Sequence, residues 1–289
     1  MKIQEATQLF LQQVKRSSES LGNYSFNKSH LNHFMTWSSE RGLVSIEDTI
    51  RYDVVDDYID DMRKTCSSST INKRIGCLKR MYQFHQVDFK YLYQVKKLRE
   101  RVTTYEMVEE HQLKKIRAYV KALDDSKGNN LLYKSIILLL SDTGVRLSEL
   151  LQIEKDNVNL RSQEILLVTT KTKEDRTVFL SDTIIPVLKK MLSIKSDHKY
   201  LLHNMLADRP VNGYDIQYLM NKLKRKLNIK KLHSHMFRHS VATIWLQHGA
   251  DIKTVMDFLG HKNMETTQRY QHSKKEHAKK VYREKFNLD

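Results

Sequence analysis

The chain has 289 residues, 40% of them hydrophobic, which is enough to bury a core in one large or two modest domains and excludes a wholly disordered protein. Its 50 Lys and Arg against 34 Asp and Glu give a net charge of +16. This charge favours a polyanionic partner, although a solvated basic surface would give the same count. Two cysteines are too few for a disulfide framework or a metal cluster, and the longest apolar run is only Ile136 to Leu140. We therefore exclude secreted and membrane-spanning proteins and expect a cytoplasmic one.

Residues 1–86 are predicted to form four helices and the first domain. In two successive helices the apolar residues recur at spacings of three and four, which places them on one face: Val55, Tyr58, Ile59 and Met62, then Ile71, Ile75, Leu78 and Tyr82. Ser69 or Thr70 could cap the second of these helices. Its opposite face carries four basic residues: Lys73, Arg74, Lys79 and Arg80. Such a face is usually only solvated, but on this basic chain we favour contact with a phosphate backbone.

Residues 87–104 are predicted to form the linker between domains, because the apolar periodicity fades there. Basic residues accumulate in the same stretch: Lys96, Lys97, Arg99 and Arg101. Helical patterning resumes at Glu106, where the second domain, residues 105–289, begins. The apolar density of residues 136–140 predicts a central buried helix.

Two strand-like runs then interrupt the helical pattern, Glu164 to Val168 and Thr177 to Leu180, and the polar residues 169–176 would join them as a hairpin. Helices are predicted again around residues 183–194, 215–227, 236–247 and 252–259. A final amphipathic helix, residues 274–289, needs a surface to dock on, its own or a neighbour's. The predicted fold is mainly α with a small antiparallel β-sheet in the second domain.

Short polar motifs in the second domain suit the cleavage of a phosphodiester without a metal. That reaction needs an in-line nucleophile, fixed cations at the non-bridging oxygens and a proton donor for the leaving oxygen. The sequence offers Arg146 after a glycine turn, Lys171 or Lys173 at the hairpin tip, His235 with Arg238, His261 and Tyr270. Each alone has a commoner structural explanation, such as a surface charge for the arginine or a core position for the tyrosine.

The histidines His233, His235 and His239 also allow a metal-site hypothesis. A zinc-protease helix would carry a glutamate beside two such histidines, and this stretch has none. No further ligand group is evident in the sequence. We therefore expect no metal.

Together and in this order, the motifs resemble the tyrosine recombinase (phage integrase) family, most closely its Xer-like branch. Five segments within about residues 105–275 carry the resemblance: Thr143 to Leu150, His235 to Thr243, His248 to Asp251, Leu259 to His261, and Thr266 to Tyr270. The resemblance implies a four-helix, SAM-like core-binding domain followed by a tyrosine recombinase catalytic domain. It also implies site-specific DNA recombination with no metal and no nucleotide cofactor.

The resemblance further implies a role for each matching residue. Tyr270 would attack the scissile phosphate and form a 3′-phosphotyrosyl bond. Arg146 and Arg238 would clamp the non-bridging oxygens. Lys171 would protonate the leaving 5′-oxygen, with Lys173 as the alternative.

Three further matches support the chemistry. His235 would assist proton transfer at the nucleophile, His261 would support the transition state, and Glu149 would orient the site. The implied partners are a double-stranded recombination site and other protomers: a dimer on each site and a tetramer across two, with or without a second recombinase. The segment 274–289 would dock in trans or, alternatively, in cis.

Two other functions fit the sequence less well. A type IB topoisomerase uses similar residues but acts as a monomer, and the terminal amphipathic helix and the Xer-like motifs argue against it. A DNA-binding regulator without chemistry would not need all six polar groups. Because the chain lacks a sizeable extra N-terminal segment, we expect a simple recombinase of the Xer, Cre or transposon-resolvase kind.

Overall fold

The structure, a computed structural model, describes residues 1–17, 21–100, 106–168 and 175–260, without the side chain of residue 21. Its contacts divide the chain into two compact units, Met1–Thr103 and Thr104–Asp289. Each unit has a hydrophobic core of its own.

The first unit contains four long helices and two short ones in its described residues: α1 (Ile3–Ser17), α2 (Leu21–Ser39), α3 (Ile46–Thr49), α4 (Tyr52–Thr65), α5 (Ser68–Phe84) and α6 (Lys90–Gln94). The four long helices are those predicted. The apolar stripes of α4 and α5 lie in the core, where Tyr58 and Tyr82 are each 1% exposed. The cap of α5 is Ser67, whose hydroxyl accepts from the Thr70 amide, so the prediction of Ser69 or Thr70 as the cap is wrong.

The stretch predicted as a linker, 87–104, packs against the first core over most of its length. Phe89 and Leu92 are buried in that core. The Asn72 side chain pairs with the backbone of Leu98 in both directions, at 2.8 and 2.9 Å. The predicted boundary at 86 is therefore too early, and the contact boundary lies at 103. The periodicity fades there because α6 spans only five residues and a side-chain amide, rather than a helix, anchors the chain.

The second unit is built around one buried helix. Its described elements are α7 (Glu110–Lys121), α8 (Asn130–Thr143), α9 (Leu147–Leu151), a 3₁₀ turn (Lys155–Asn157), β1 (Val158–Asn159), β2 (Glu164–Leu167), β3 (Arg176–Phe179), α10 (Ile185–Leu192), β4 (His203–Asn204), β5 (Arg209–Pro210), α11 (Gly213–Leu227), α12 (Ser234–Gln247) and α13 (Ile252–Leu259). Helix α8 packs against α7, α10 and α12. Residues 136–140 have no exposed surface, which confirms the predicted central helix.

The sheet of the second unit has the order β1-β2-β3 and is antiparallel throughout. Strands β2 and β3 pair from Glu164 with Phe179 to Leu167 with Arg176, and Ile165 and Val178 turn inward. This pairing confirms the predicted fold class. Strand β1 and the small β4-β5 sheet were not predicted, because a strand of two residues is too short to show the alternation of apolar and polar side chains.

Within the described ranges no helix combines the length and apolarity that a bilayer crossing requires.

Candidate active site

The site begins where α8 ends against two other helices. Gly144 ends α8 in the left-handed region, at φ 60°. A Cβ at this position would lie 2.9 Å from Leu259 and 3.3 Å from Val241. Only glycine therefore allows both the backbone turn and the close approach of α8 to α12 and α13. Because α9 begins three residues later, at Leu147, the turn places Arg146 at the N-cap of that helix, where the sequence predicted that a new helix begins.

Arg146 and Glu149 form a reciprocal pair at the start of α9. One oxygen of Glu149 accepts from the Arg146 amide and the other from Arg146 Nη1, both at 2.7 Å. Arg146 Nη2 also donates to the carbonyl of Gly260 at 2.5 Å. Glu149 therefore holds both the backbone amide and the guanidinium group of Arg146.

Arg238 lies in the first turns of α12 and is 4% exposed. Its Nη1 donates to the Gly144 carbonyl at 2.9 Å, and its Nη2 donates to the Leu259 carbonyl. These bonds bring both predicted arginines to the C-terminal end of α13, where helix carbonyls lack partners within the helix.

A third arginine, Arg176, joins this group, and the sequence had not singled it out. Its two terminal nitrogens donate to the two oxygens of Glu149, each at 2.8 Å, and its Nε donates to the Phe258 carbonyl at 3.0 Å. One sequence signal could have identified Arg176: side chains alternate along β3, so Arg176 lies on the same inward face as buried Val178. We name Arg146, Arg176 and Arg238, with Glu149, the arginine cluster.

Burial opposes ionisation of Glu149, but the hydrogen bonds and charge of Arg176, with those of Arg146, lower the pKa of Glu149 to about 2. The carboxylate is therefore ionised at neutral pH and holds the arginines in place. A surplus of fixed donors beside a buried carboxylate suits the binding of an anion.

The histidines of α12 lie in the same positive field. Partial desolvation, then the charges of His233, Arg238 and Arg146, lower the pKa of His235. Burial, with His235 and Arg238, lowers the pKa of His239 to about 4. Both imidazoles are therefore mainly neutral at pH 7, and a neutral imidazole can accept a proton.

A metal site at these histidines finds no support in the structure. The rings of His233 and His235 meet edge to face with their centroids 6.5 Å apart. Among the described residues, no three His, Cys, Asp or Glu side chains are placed to share a metal ion.

The remaining predicted residues of the site, Lys171, Lys173, His261 and Tyr270, lie outside the described residues. The helix predicted over 274–289 lies outside them as well. The structure does place Gly260, the neighbour of His261 in the chain, against Arg146. It thus brings together Arg146, Glu149 and Arg238, with His235 one helical turn before Arg238.

The first unit carries the predicted basic surface on α5. Lys73 and Arg80 are exposed and Arg74 is half-buried. Desolvation, and the positive charges of Arg74, Lys73 and Arg80, lower the pKa of His30 on α2. We name these three α5 residues the α5 basic face; no ion pair to them occurs among the described residues.

The other predicted basic residues of the first unit divide into two kinds. Lys79 donates to the carbonyls of Tyr93 and Val95 at 3.1 and 2.8 Å, so its ammonium group secures α6 instead of facing outward. Lys96, Lys97 and Arg99 are exposed. Arg101 lies outside the described residues.

Comparison with known proteins places the second unit in a family. The phage integrase family matches residues 106–277, more than half of the chain. A probable integrase/recombinase of Acholeplasma phage L2 is 29% identical over 247 residues, 85% of this chain and 84% of that protein. Tyrosine recombinase XerC of Listeria innocua is 28% identical over 272 residues, 88% of each chain.

Solved structures show the same fold. The XerH site-specific recombinase bound to its difH substrate in the pre-cleavage complex has a TM-score of 0.70 at 19% identity, over 90% of this chain and 79% of that one. The Tn1549 transposon integrase in complex with transposon right end DNA has a TM-score of 0.72 at 16% identity, over 93% and 94%. The protein described here therefore belongs to the phage integrase family, in the Xer-like branch of the tyrosine recombinases, and is a site-specific recombinase.

Proposed function

We propose that this protein cuts and rejoins double-stranded DNA at a specific site through a 3′-phosphotyrosyl bond on Tyr270. The observation that carries the proposal is the arginine cluster, in which guanidinium groups are fixed by Glu149 and by backbone carbonyls. The XerH and Tn1549 proteins, which share the fold, were solved in complex with DNA.

The geometry of Arg146 suits the scissile phosphate. Its bonds to Glu149 and Gly260 engage two of its five N–H donors, and its side chain is 36% exposed. The remaining donors can face the non-bridging oxygens, whose negative charge grows as the tyrosine attacks. In this proposal Arg238 stabilises the same charge from α12.

The proton transfers follow from the proposed roles. Tyr270 loses its proton as it bonds to phosphorus, and neutral His235 is suited to accept it. The departing 5′-oxygen takes a proton from Lys171 or Lys173, while His261 supports the transition state. The phosphotyrosyl bond retains the energy of the broken phosphodiester, so the free 5′-hydroxyl can reverse the reaction without ATP.

The two units would clamp the duplex together. The α5 basic face gives the first unit, proposed as the core-binding domain, a means to hold phosphates, in a chain whose total net charge is +16. We expect a dimer on each site and a tetramer across two sites. The segment 274–289 would dock on a neighbouring protomer, with docking in cis as the alternative.

The decisive experiment looks for the covalent bond. The protein is incubated with a nicked duplex that carries its site, isolated from a random library by binding, and protein–DNA adducts are separated on a denaturing gel. We expect an adduct with the wild type and none with Tyr270→Phe. An adduct that forms as readily with Tyr270→Phe would contradict the proposal, as would none with the wild type.

Two further assays test the alternatives. Strand exchange between two labelled sites is expected for a recombinase, whereas relaxation of supercoils without exchange would identify a type IB topoisomerase. A chelator should leave adduct formation unchanged, and inhibition by a chelator would revive the metal-site hypothesis.

A further inference from the structure

Arg176 contacts both groups that hold Arg146 in place. One of these groups is Glu149, and the other is the backbone at the end of α13. Resting on the proposed function, we propose that Arg176 is a positioning residue for strand cleavage: it acts through Glu149 and Gly260 on the guanidinium group of Arg146.

The first route runs through the shared carboxylate. Each oxygen of Glu149 accepts one bond from Arg176 and one from Arg146. A two-pronged bond fixes the plane of a carboxylate as well as its position. Arg176 therefore fixes the orientation of the acceptors that Arg146 meets.

The second route runs through the backbone at the end of α13. Arg176 Nε donates to the Phe258 carbonyl, and its guanidinium group packs on Gly260. A Cβ at Gly260 would lie 3.1 Å from Arg176 Nη1 and 3.3 Å from its Cζ, so a side chain there would push against the guanidinium group. The Gly260 carbonyl is the acceptor for Arg146 Nη2. Arg176 thus bonds to and packs against the backbone that presents the Gly260 carbonyl to Arg146.

Arg176 also lies at the base of the β2-β3 hairpin. Arg176 pairs with Leu167 at the last rung of the β2-β3 ladder, immediately after the segment that carries Lys171 and Lys173. The same side chain therefore anchors the base of the hairpin to α9 and α13. It is 11% exposed and bonded to Glu149 and Phe258, so its effect on the phosphate is indirect.

Only arginine has the shape for these contacts. A lysine would keep the charge, but its single nitrogen could not span two carboxylate oxygens and a carbonyl at once. Arg176→Lys is therefore the informative change, since it preserves charge and removes the fork. The matched control is Arg161→Lys, the same substitution at an exposed position of the β1-β2 turn.

The test measures adduct formation on the nicked duplex with saturating protein, together with DNA affinity. Because a misplacement of about 1 Å can cost roughly 100-fold in rate, we expect Arg176→Lys to cleave about 100-fold more slowly with DNA affinity within about twofold. Arg161→Lys should match the wild type. A folded Arg176→Lys protein that cleaves at the wild-type rate would overturn the inference.

A double-mutant cycle separates positioning from a general loss of structure. If Arg176 acts through Arg146, adding Arg176→Lys to Arg146→Ala should slow cleavage by much less than 100-fold, because the group being positioned is already gone. Two defects that simply multiply would contradict the inference. If Arg176→Lys does not fold at the assay temperature, Arg176→Gln is measured in the same way with the same two outcomes.

A readout without DNA distinguishes this inference from the proposed function. Amide hydrogen exchange of residues 252–260 should be faster in Arg176→Lys than in the wild type, since the end of α13 loses a bonded partner. Unchanged exchange in a folded variant would refute the inference whatever the activity. Absence of an adduct with the wild type would instead count against the proposed function.

Discussion

The two units hold their basic residues in opposite ways. On the α5 basic face, Lys73 and Arg80 are exposed, and no ion pair to either occurs among the described residues; Arg80 donates to the neutral side chains of Asn27 and Cys77. In the arginine cluster, Arg238 is buried and the Arg176 side chain is 11% exposed, and each is bonded to a carboxylate or to backbone carbonyls. The first arrangement supplies exposed charge, and the second supplies donors that a carboxylate and main-chain carbonyls hold at fixed positions.

The difference separates two tasks in handling a phosphate. Attraction to a polyanion depends on the number of charges and tolerates exchange between arginine and lysine. Stabilisation of a pentacoordinate phosphorus depends on where each donor lies before the reaction begins. We therefore expect charge-preserving substitutions to be harmful in the arginine cluster and nearly silent on the α5 basic face.

The largest expected effect is that of Arg238→Lys. The variant keeps the charge but loses the fork that bonds to Gly144 and Leu259. Loss of a fixed donor at a transition state costs about 10²–10³-fold in rate, and we expect a loss of that size in adduct formation. The matched control in the first unit, Arg74→Lys, should cleave within about twofold of the wild type. Equal losses in the two variants would remove the distinction between the units.

Next comes the effect of Glu149→Gln on stability. Removing one partner of a buried ion pair costs about 3 kcal/mol, so the free energy of unfolding of the second unit should fall by that order at pH 7. Urea titration followed by Trp245 fluorescence measures it in a Trp37→Phe background, in which Trp245 is the remaining tryptophan.

The pH dependence of the Glu149→Gln effect has a definite sign. The pKa of Glu149 is lowered to about 2 from its ordinary 4.5. The stabilisation by Glu149 is therefore complete above pH 4.5 and is lost as the pH falls towards 2. The wild type and Glu149→Gln should converge over this range. A constant difference down to pH 2 would contradict the assigned pairing.

A smaller effect is expected from His239. Its pKa is lowered to about 4 from 6.5 in the folded protein, so the unfolded chain binds a proton at a higher pH than the folded protein does. The second unit should lose roughly 2 kcal/mol of stability as the pH falls from 6.5 to 4, and His239→Gln should flatten this slope. His111→Gln, which removes an imidazole at an exposed position of α7, is the control.

The smallest effect is expected on the α5 basic face. Lys73→Ala should reduce the slope of log affinity against log salt by about one unit if Lys73 contacts a phosphate, while cleavage at saturation stays unchanged. Lys79→Ala is the matched control, because its ammonium group is bonded to backbone carbonyls. A larger change of slope in Lys79→Ala than in Lys73→Ala would reverse the assignment.

The sequence predicted those parts of the site that depend on local order. Arg146 and Arg238 each lie in a contiguous motif, Thr143 to Leu150 and His235 to Thr243, and the resemblance of these motifs to a known family implied both residues. Arg176 could not be identified in this way, because its partners Glu149 and Phe258 are 27 and 82 residues away. The alternation of β3 places Arg176 on the same face as Val178, but it does not show which acceptors Arg176 meets there.

The secondary structure and the domain boundary show the same difference between local patterns and long-range contacts. Long helices such as α8 were predicted because their period is repeated several times, whereas α6 and β1 are too short to show one. The early boundary at 86 has the same origin, since Asn72 secures residue 98 by a contact that no periodicity reveals.

The end of α13 has a consequence for how this protein can vary. Three consecutive carbonyls, of residues 258 to 260, are each held by a different arginine from a different element. Because these acceptors belong to the main chain, exchanging the side chain of Phe258 or Leu259 leaves all of them in place. Inserting or deleting one residue between 257 and 260 would instead rotate the carbonyls by about 100° around the helix axis, away from their arginines. The bonds to the three arginines should therefore tolerate exchange of the side chains at 258 and 259 but not a change in the length of this stretch.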